Sequence, residues 1–442
     1  MKKHLCQWLA LVGIPLCAVA GNPPPLSPDD RVELTPAFIN ALAETLLTNS
    51  PALRAAGARA EAAAANVAAV RTWEDPEVTV GGMFADSMMR AEDGDLLYGV
   101  EQKLPLFGRP RAMRQMATRE GDVMRADREA VFQRLRSALA QALFRVAYAQ
   151  RAAEIGAEDL AWLTAMLRTT EDRYRVGDVP QFQLLRLQNE HARRADAVTS
   201  DQRRVAAALA EVNRILGQPI DSAWPQLQLP AIAGEVSYND QILEMALNNE
   251  PEIAVLREKV RLAEATVETV RRARYPEVTL GAEGRQYTGN GDFRQAMVTV
   301  SVSLPWVNRG KYREDVRRES ARRTAAEFDL ADRELAVREE VRRLTVSIDA
   351  ARREALLYRD RIIPRAEQAL ESAQAAWLAN RAMFLDVLES RRMLVEGRLG
   401  YARAVSEQYQ LLSELVLCCG LGDLEALLII GAAAPEPAAT NP

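Results

Sequence analysis

The 442-residue chain reads as an α+β protein built by tandem duplication, each copy supplying a β-hairpin and a pair of very long antiparallel coiled-coil helices. Three observations predict that class. The first is repetition. At an offset of 200, Asn49 and Pro51 match Asn249 and Pro251, Pro76-Glu77-Val78-Thr79 matches Pro276-Glu277-Val278-Thr279, and Gly81 matches Gly281. Leu104-Pro105 and Arg109 then match Leu304-Pro305 and Arg309, so order and spacing are both kept, at a period far longer than that of solenoid repeats. The second is the length of the helical pattern: from about Arg109 to Arg175 no proline intervenes after Pro110. The third is a period-two alternation of apolar and polar residues just before each long helix, the signature of strands with one apolar face.

Composition sets the frame. Apolar residues make up 48% and aromatics only 6%, which suits closely packed helices better than a thick globular core. The net charge is -5 with no strongly basic run, so nucleic-acid binding has no electrostatic support.

Met1-Lys2-Lys3-His4, an apolar run from Leu5 to Leu16, and Ala18-Val19-Ala20 describe a secretory signal peptide over residues 1–20. Cleavage after Ala20 leaves 54 Lys and Arg against 61 Asp and Glu, a charge of -7. Leu16 is too bulky for lipoprotein processing at Cys17, so the expected mature chain is unlipidated and starts at Gly21. Cys6 and Cys17 leave with the signal. Cys418 and Cys419 are adjacent and bond to each other only with strain, so no disulfide framework is expected. Residues 21–35, with Pro23-Pro24-Pro25 and Pro28, read as an extended leader.

The first copy is assigned to residues 36–230. A helix begins near Thr35 with Pro36 in its first turn, pauses at Asn49-Ser50-Pro51 and resumes to about Thr72. Val78, Val80 and Phe84 then alternate, as do Leu96, Tyr98, Val100 and Leu104 against Gly99, Glu101 and Lys103, giving a hairpin. The long helix from Arg109 carries a four-three seam at Leu135, Leu139, Ala142, Val146, Ala149 and Ala153. It turns at Tyr174-Arg175-Val176-Gly177-Asp178-Val179 and returns to Leu216, where Gly217-Gln218-Pro219 stops it. Asp221 to Val236 is expected to be a linker.

The second copy, 231–420, repeats the plan. Val278 and Leu280, then Val298, Val300, Val302 and Leu304, flank a loop at Gly289-Asn290-Gly291. The helix from Lys311 to Leu378 has its seam at Val337, Val341, Leu344, Ile348, Ala351 and Ala355, and Pro364 is expected to bend it. It turns at Asn380, which tolerates a left-handed backbone, and returns to Gly420. Residues 421–442 are expected to be a disordered tail. Just past the second turn, Asp386 and Glu389 are three apart and share one helix face.

Four strands per chain cannot close a barrel, and a lipid-exposed strand edge is not tolerated. Their faces divide into apolar and polar, as a water-filled membrane barrel needs. Three chains give twelve strands, an even number in the known range, with the helices gathered below as an α-helical tunnel.

The duplicated plan, the Pro-Glu-Val-Thr strand starts, the Leu-Pro after each second strand, the tip at Tyr174 and Gly177, and Phe384-Leu385-Asp386-Val387-Leu388 resemble the TolC-like outer-membrane export ducts. The resemblance covers residues 36 to 420. It implies a homotrimer whose barrel meets the lipid of the outer membrane and whose tunnel extends into the periplasm, docking onto a periplasmic adaptor protein and an inner-membrane pump. It implies that Asp386 and Glu389 form the channel constriction, three copies of each ringing the axis, where carboxylates attract cations and obstruct anions. The competing reading of the pair is a solvated helix face. The adaptor contacts implied are Arg175, Gly177, Asp178 and Val179 at the first tip, with Arg175, Asp178 and Val179 exposed, and Asn380 and Arg381 at the second. Trp377 and Asn380 stand where the family usually has Tyr and Gly, so its tyrosine-based bonds across the closed tip are not carried over. Leu104-Pro105-Leu106-Phe107-Gly108-Arg109 resembles members paired with heavy-metal pumps of the RND type; drugs and type I secreted proteins are the alternative cargoes.

No enzyme is expected. Only His191 remains after signal removal, which leaves little for histidine catalysis or metal binding. Cys418-Cys419 reads as apolar packing rather than a soft-metal site. Met83, Met88 and Met89 beside the first hairpin read as incidental, Glu74-Asp75 has no catalytic partner, and neither a phosphate loop nor a cofactor motif is present. A periplasmic coiled-coil scaffold or adhesin stalk would share the heptads and the signal. It would not need two amphipathic hairpins.

Overall fold

Helix starts and stops are written locally in this chain. In the computed structural model, which describes residues 31–82, 96–287, 289, 291–379, 381–422 and 424–426, helix α1 (Pro36–Asn49) begins where the Thr35 hydroxyl accepts the Phe38 N–H at 3.3 Å, with Pro36 in the first turn. Helix α2 (Pro51–Ala69) follows after one residue. Their copies are α5 (Asp240–Asn249), capped by the Asn239 side chain on the Ile242 N–H at 2.7 Å, and α6 (Pro251–Arg272). The signal peptide, the leader to residue 30, Met83, Met88, Met89 and Asn380 lie outside the described residues.

Helix α3 (Arg109–Arg175) is continuous over 67 residues, about 100 Å at 1.5 Å per residue. It pairs with α4 (Gln181–Leu216). In the second copy the expected single helix is instead α7 (Arg309–Leu357), one π-helical turn (Tyr358–Ile362) and α8 (Ile363–Leu378), with Pro364 in the first turn of α8. Helix α9 (Phe384–Cys418) returns. The seams fall as their spacing predicts: Leu139, Ala142 and Val146 of α3 are buried, as are all six seam residues of α7.

Four strands form one antiparallel sheet in the order β2 (Glu77–Gly82), β3 (Leu96–Lys103), β5 (Val278–Gln286), β6 (Phe293–Val302). Each hairpin pairs internally, and β3 pairs with β5 across the copies. Register sorts the faces. Val78 faces Val100, Val80 faces Tyr98, Val100 faces Ala282, Ala282 faces Val298 and Leu280 faces Val300, all on one side. On the other lie Thr79, Glu101, Lys103, Thr279, Glu283, Arg285, Thr299 and Ser301. Among the described residues nothing covers the apolar side: Val78 is 73% and Val298 78% exposed.

A short parallel pair, β1 (Arg31–Glu33) with β4 (Gln226–Gln228), corrects two expectations: the end of the leader and the inter-copy linker are both partly strand. Three residues are too few to carry a period-two signal, and the pairing is made across the whole first copy. Around it sits the main core, with Leu46, Leu143, Phe144, Leu216, Leu227, Ile242, Leu344 and Leu415 among its buried members. Leu424 is buried there too and Leu421 packs against it, so the ordered chain runs past the expected end at 420; residues 427–442 lie outside the described ones. A second, separate cluster closes the far end of the helices, with Leu163, Leu187, Ala366, Leu370, Trp377, Phe384, Val387, Leu388 and Leu394. Among the described residues no helix is long and apolar enough to cross a membrane.

Candidate constriction and helix tips

The first tip is a helix stop of defined geometry. Gly177 has φ +78°, its N–H donates to the Tyr174 carbonyl at 3.0 Å, and the Asp178 N–H donates to the Arg173 carbonyl at 2.9 Å. These are the two bonds of a Schellman motif. At the second tip the Arg381 N–H donates to the Ala376 carbonyl at 2.8 Å, the longer bond of the same motif. Gly217 (φ +69°) and Gly420 (φ +60°) end the return helices in the same way. A Cβ at Gly217 would stand 2.5 Å from the Asn49 carbonyl oxygen, and one at Gly420 would collide with the matching Asn249 carbonyl.

The tips are fastened to each other. The Arg173 guanidinium lies over the Trp377 ring at 4.5 Å, donates to the Trp377 carbonyl at 3.4 Å, and pairs with Asp178 at 2.7 Å. Trp377 is 4% exposed and packs on Phe384 with ring centroids 5.4 Å apart. Trp377 thus joins the two hairpins by its ring face and its carbonyl. That role is invisible in sequence because the partners are 204 residues apart.

Asp386 and Glu389 are both exposed on the first turns of α9. They are not equivalent. The Asp386 carboxylate accepts the Met383 N–H at 3.0 Å, the backward-reaching half of a capping box, and lies where the helix dipole favours an anion. Glu389 stands free of the backbone, 3.8 Å from Arg392, whose other nitrogen donates to Glu190 at 2.8 Å. One turn further up, a nearly buried Asp159 on α3 accepts from Arg391 of α9 at 2.8 Å and lies 3.0 Å from Arg194 of α4. The site is therefore two carboxylates at a helix end, with a belt of ion pairs behind them that locks α3, α4 and α9 together.

Of the other predicted tip residues, Arg175, Gly177, Asp178 and Arg381 are exposed, and Arg175 pairs with Asp172 at 3.3 Å. Val179 is not exposed, which corrects the expectation: it is 5% accessible. It stands at the residue before the cap of α4, and Leu184 at the fourth helical position is buried as well, the arrangement of a hydrophobic staple. The exposed apolar residues at the tips are instead Val176 (80%), Met383 (71%), Phe182 and Leu378. Their signal in sequence was that they fall off the buried seams.

His191 is engaged with the Thr164 hydroxyl at 3.0 Å. Cys418 and Cys419 are buried in the main core. Burial raises both thiols, Cys419 to about 12, and the Cys419 thiol points at the Ile242 carbonyl at 3.9 Å. That is the environment of small apolar side chains.

Known proteins agree with this architecture. The chain is 24% identical over 408 residues to the pyoverdine export outer membrane protein OpmQ of Pseudomonas putida, covering 84% of this chain and 83% of that one. It is 26% identical over 172 residues to the cobalt-zinc-cadmium resistance protein CzcC of Cupriavidus metallidurans, a match that spans 38% of this chain and only 40% of its relative. The solved outer-membrane channel OprN superposes with a TM-score of 0.74 at 21% identity over 89% of this chain and 94% of that one, a likeness of fold. A profile of the outer membrane efflux proteins, a family of transport channels rather than enzymes, matches residues 42–218 and 242–421. The chain belongs to the outer membrane efflux protein family, and it is an outer-membrane channel that extends into the periplasm.

Proposed function

We propose that three copies of this chain form the exit duct of a tripartite efflux system: a twelve-stranded barrel across the outer membrane continued by a helical tunnel. The observation that carries this reading is the four-stranded sheet. Among the described residues its edge strands β2 and β6 have no partner on their outer sides, and its apolar side is an open row of valines. In hydrocarbon every backbone group must be paired, so β2 of one copy must meet β6 of the next. Three copies close the circle with valines toward lipid and the Thr, Ser and Glu side toward water. The long helices follow their strands into the tunnel. Its free end is the pair of fastened tips.

At that end Asp386 and Glu389 ring the axis as the constriction, six carboxylates in the trimer, and favour cations over anions. The outer rim of the tips, Arg175, Gly177, Asp178, Asn380 and Arg381 together with the apolar Val176 and Met383, is the docking surface for a periplasmic adaptor, which links the duct to an inner-membrane pump. The relatives' names point to metal resistance for one and pyoverdine export for the other. Metal cations are the cargo favoured here, supported by the match to CzcC and by the acidic end. The duct performs no chemistry of its own on its cargo.

Fractionation tests the duct reading. The chain is expected in the outer membrane as a trimer that resists carbonate extraction; a monomer extracted by salt or carbonate would contradict it. For the cargo, expression in a host lacking its own metal-efflux duct is expected to restore growth on cobalt, zinc or cadmium when the matching pump and adaptor are supplied. Failure there, with a trimeric duct in place, would move the cargo to organic compounds.

A further inference from the structure

One level of the molecule is strongly basic and has no part in the constriction or the tips: the four connections between strand and helix. Residues 70–76, 104–114, 271–277 and 303–313 carry ten Lys and Arg against three acids, in a chain that has 56 against 61 overall. Arg109 pairs with Glu277, and Arg272 with Glu268 at 2.7 Å. Six others, Arg71, Arg111, Arg114, Arg274, Arg309 and Lys311, are exposed and have no acidic partner among the described residues. An ordinary solvated helix face intersperses acids with its cations. Helix α7 does so a little further along, where Arg318 and Arg322 share Glu319.

The same level is rimmed by aromatic rings, one on each connection. Trp73 is 55%, Phe107 45%, Tyr275 47% and Trp306 49% exposed, in a chain only 6% aromatic. Phe107 is held there against its backbone preference. Its φ is +57°, a left-handed conformation rare for a bulky residue, and its ring stacks on Tyr275 of the second repeat at 5.6 Å. Strain of this kind clusters at ligand clamps. Beside the stacked pair lies an open cleft of about 530 Å³, walled by Arg71, Trp73, Phe107, Arg272 and Tyr275. Exposed rings beside free cations are the composition of a membrane–water boundary.

The level also continues the apolar side of the sheet. Leu304, 52% exposed, follows Val300 and Val302 at period two, and Val307, 71% exposed, comes next. A rim turned toward a water-filled lumen would favour polar side chains. Where the valine row ends, so does the hydrocarbon, and the side chains just beyond it stand at the depth of lipid headgroups.

We propose that the strand–helix connections form a belt that binds anionic phospholipid headgroups, of the phosphatidylglycerol type, in the leaflet facing the periplasm. The cations meet the lipid phosphates, the rings lie at the boundary of the acyl chains, and the cleft at Phe107 and Tyr275 seats a headgroup. A zwitterionic lipid brings its own ammonium group and gains little from the belt, so the belt selects by net charge. Six free cations per chain become eighteen round the circumference of the trimer. The belt rests on the duct reading, which puts the valines in hydrocarbon.

Lipid selectivity tests it. The trimer is reconstituted in phosphatidylcholine vesicles with a trace of spin-labelled phosphatidylglycerol or spin-labelled phosphatidylethanolamine, and the motionally restricted fraction reports each lipid's affinity for the protein surface. Phosphatidylglycerol is expected to associate at least about threefold more strongly at low salt, and the ratio to fall toward one at about 1 M salt, where the screening length is roughly 3 Å. Arg71→Gln/Arg111→Gln/Arg274→Gln/Lys311→Gln is expected to abolish the preference. Arg186→Gln/Arg203→Gln, exposed on α4 away from the sheet, is expected to keep it. A trimer without the preference, or a preference that survives the four changes, overturns the belt. An altered ion selectivity of the channel with lipid preference unchanged overturns it too, because the cations would then face the lumen. Carbonate resistance is read on the same vesicles: a chain that never inserts fails the duct and the belt together, and one that inserts without preference fails the belt alone. If the fourfold variant does not trimerise, the salt dependence of the unaltered trimer decides, and a ratio that salt leaves unchanged is equally fatal.

Discussion

Single side chains decide how the tips hold and what they present. Asp386 caps its own helix through the Met383 N–H, whereas Glu389 lies only beside Arg392, at 3.8 Å. Asp386→Ala is expected to cost about 1 kcal/mol locally, read as roughly fivefold faster hydrogen exchange in the first turn of α9, while Glu389→Gln leaves that exchange unchanged. Equal effects of the two would remove the cap from the account. The cysteines give a pH prediction. Burial holds both thiols protonated, Cys419 up to about 12, against about 8.5 for an unfolded cysteine. The stability this confers is fully present below pH 8.5 and falls as pH rises toward 12, by about 1.4 kcal/mol per pH unit for each thiol. Ellman's reagent at pH 8 should find neither thiol in the native protein and both after denaturation; rapid native labelling would contradict their burial. The acidic pair was legible in sequence from its spacing and its place after a turn. The Arg173–Trp377 tie and the burial of Val179 were not, because each depends on two hairpins lying side by side.

Elements follow local grammar almost everywhere. The bounds of α3 were readable because Gly108 and Pro110 open it and Gly177 closes it. What escaped was of two kinds. The β1–β4 pair is too short to show a period and is joined only by tertiary contact. The π turn differs from plain helix by one residue, and only the proline beside it drew notice. The duplicated stops carry their own test. Gly217 and Gly420 combine a left-handed backbone with a carbonyl of their own copy's first helix break, Asn49 or Asn249, at the place a Cβ would occupy. Gly217→Ala and Gly420→Ala are each expected to destabilise by roughly 1–3 kcal/mol, seen as a lower melting temperature and fewer detergent-resistant trimers. Gly310→Ala, with open space around its Cβ position, is the control and should be neutral or slightly stabilising.

At the scale of the whole molecule, the strands make sense only in an assembly. A sheet with two open edges and a valine face cannot exist alone in lipid, and that argument needed no structure beyond strand count and alternation. The structure adds the register, which brings the valines of both hairpins to one side. Val298→Lys on that side is expected to cost about 2–4 kcal/mol near the bilayer midplane and to reduce trimer yield sharply; Thr299→Lys, on the other side of the same strand, should be tolerated. Comparable loss from both would mean the two faces are not lipid and water. The most direct test of the duct itself is single-channel conductance of the purified trimer in a planar bilayer, beside an Asp386→Ala/Glu389→Ala variant. A small, cation-preferring conductance in the first that grows or loses its preference in the second is the predicted result. A folded chain that neither trimerises nor inserts would contradict the duct, and a trimer whose channel ignores the double change would contradict the constriction.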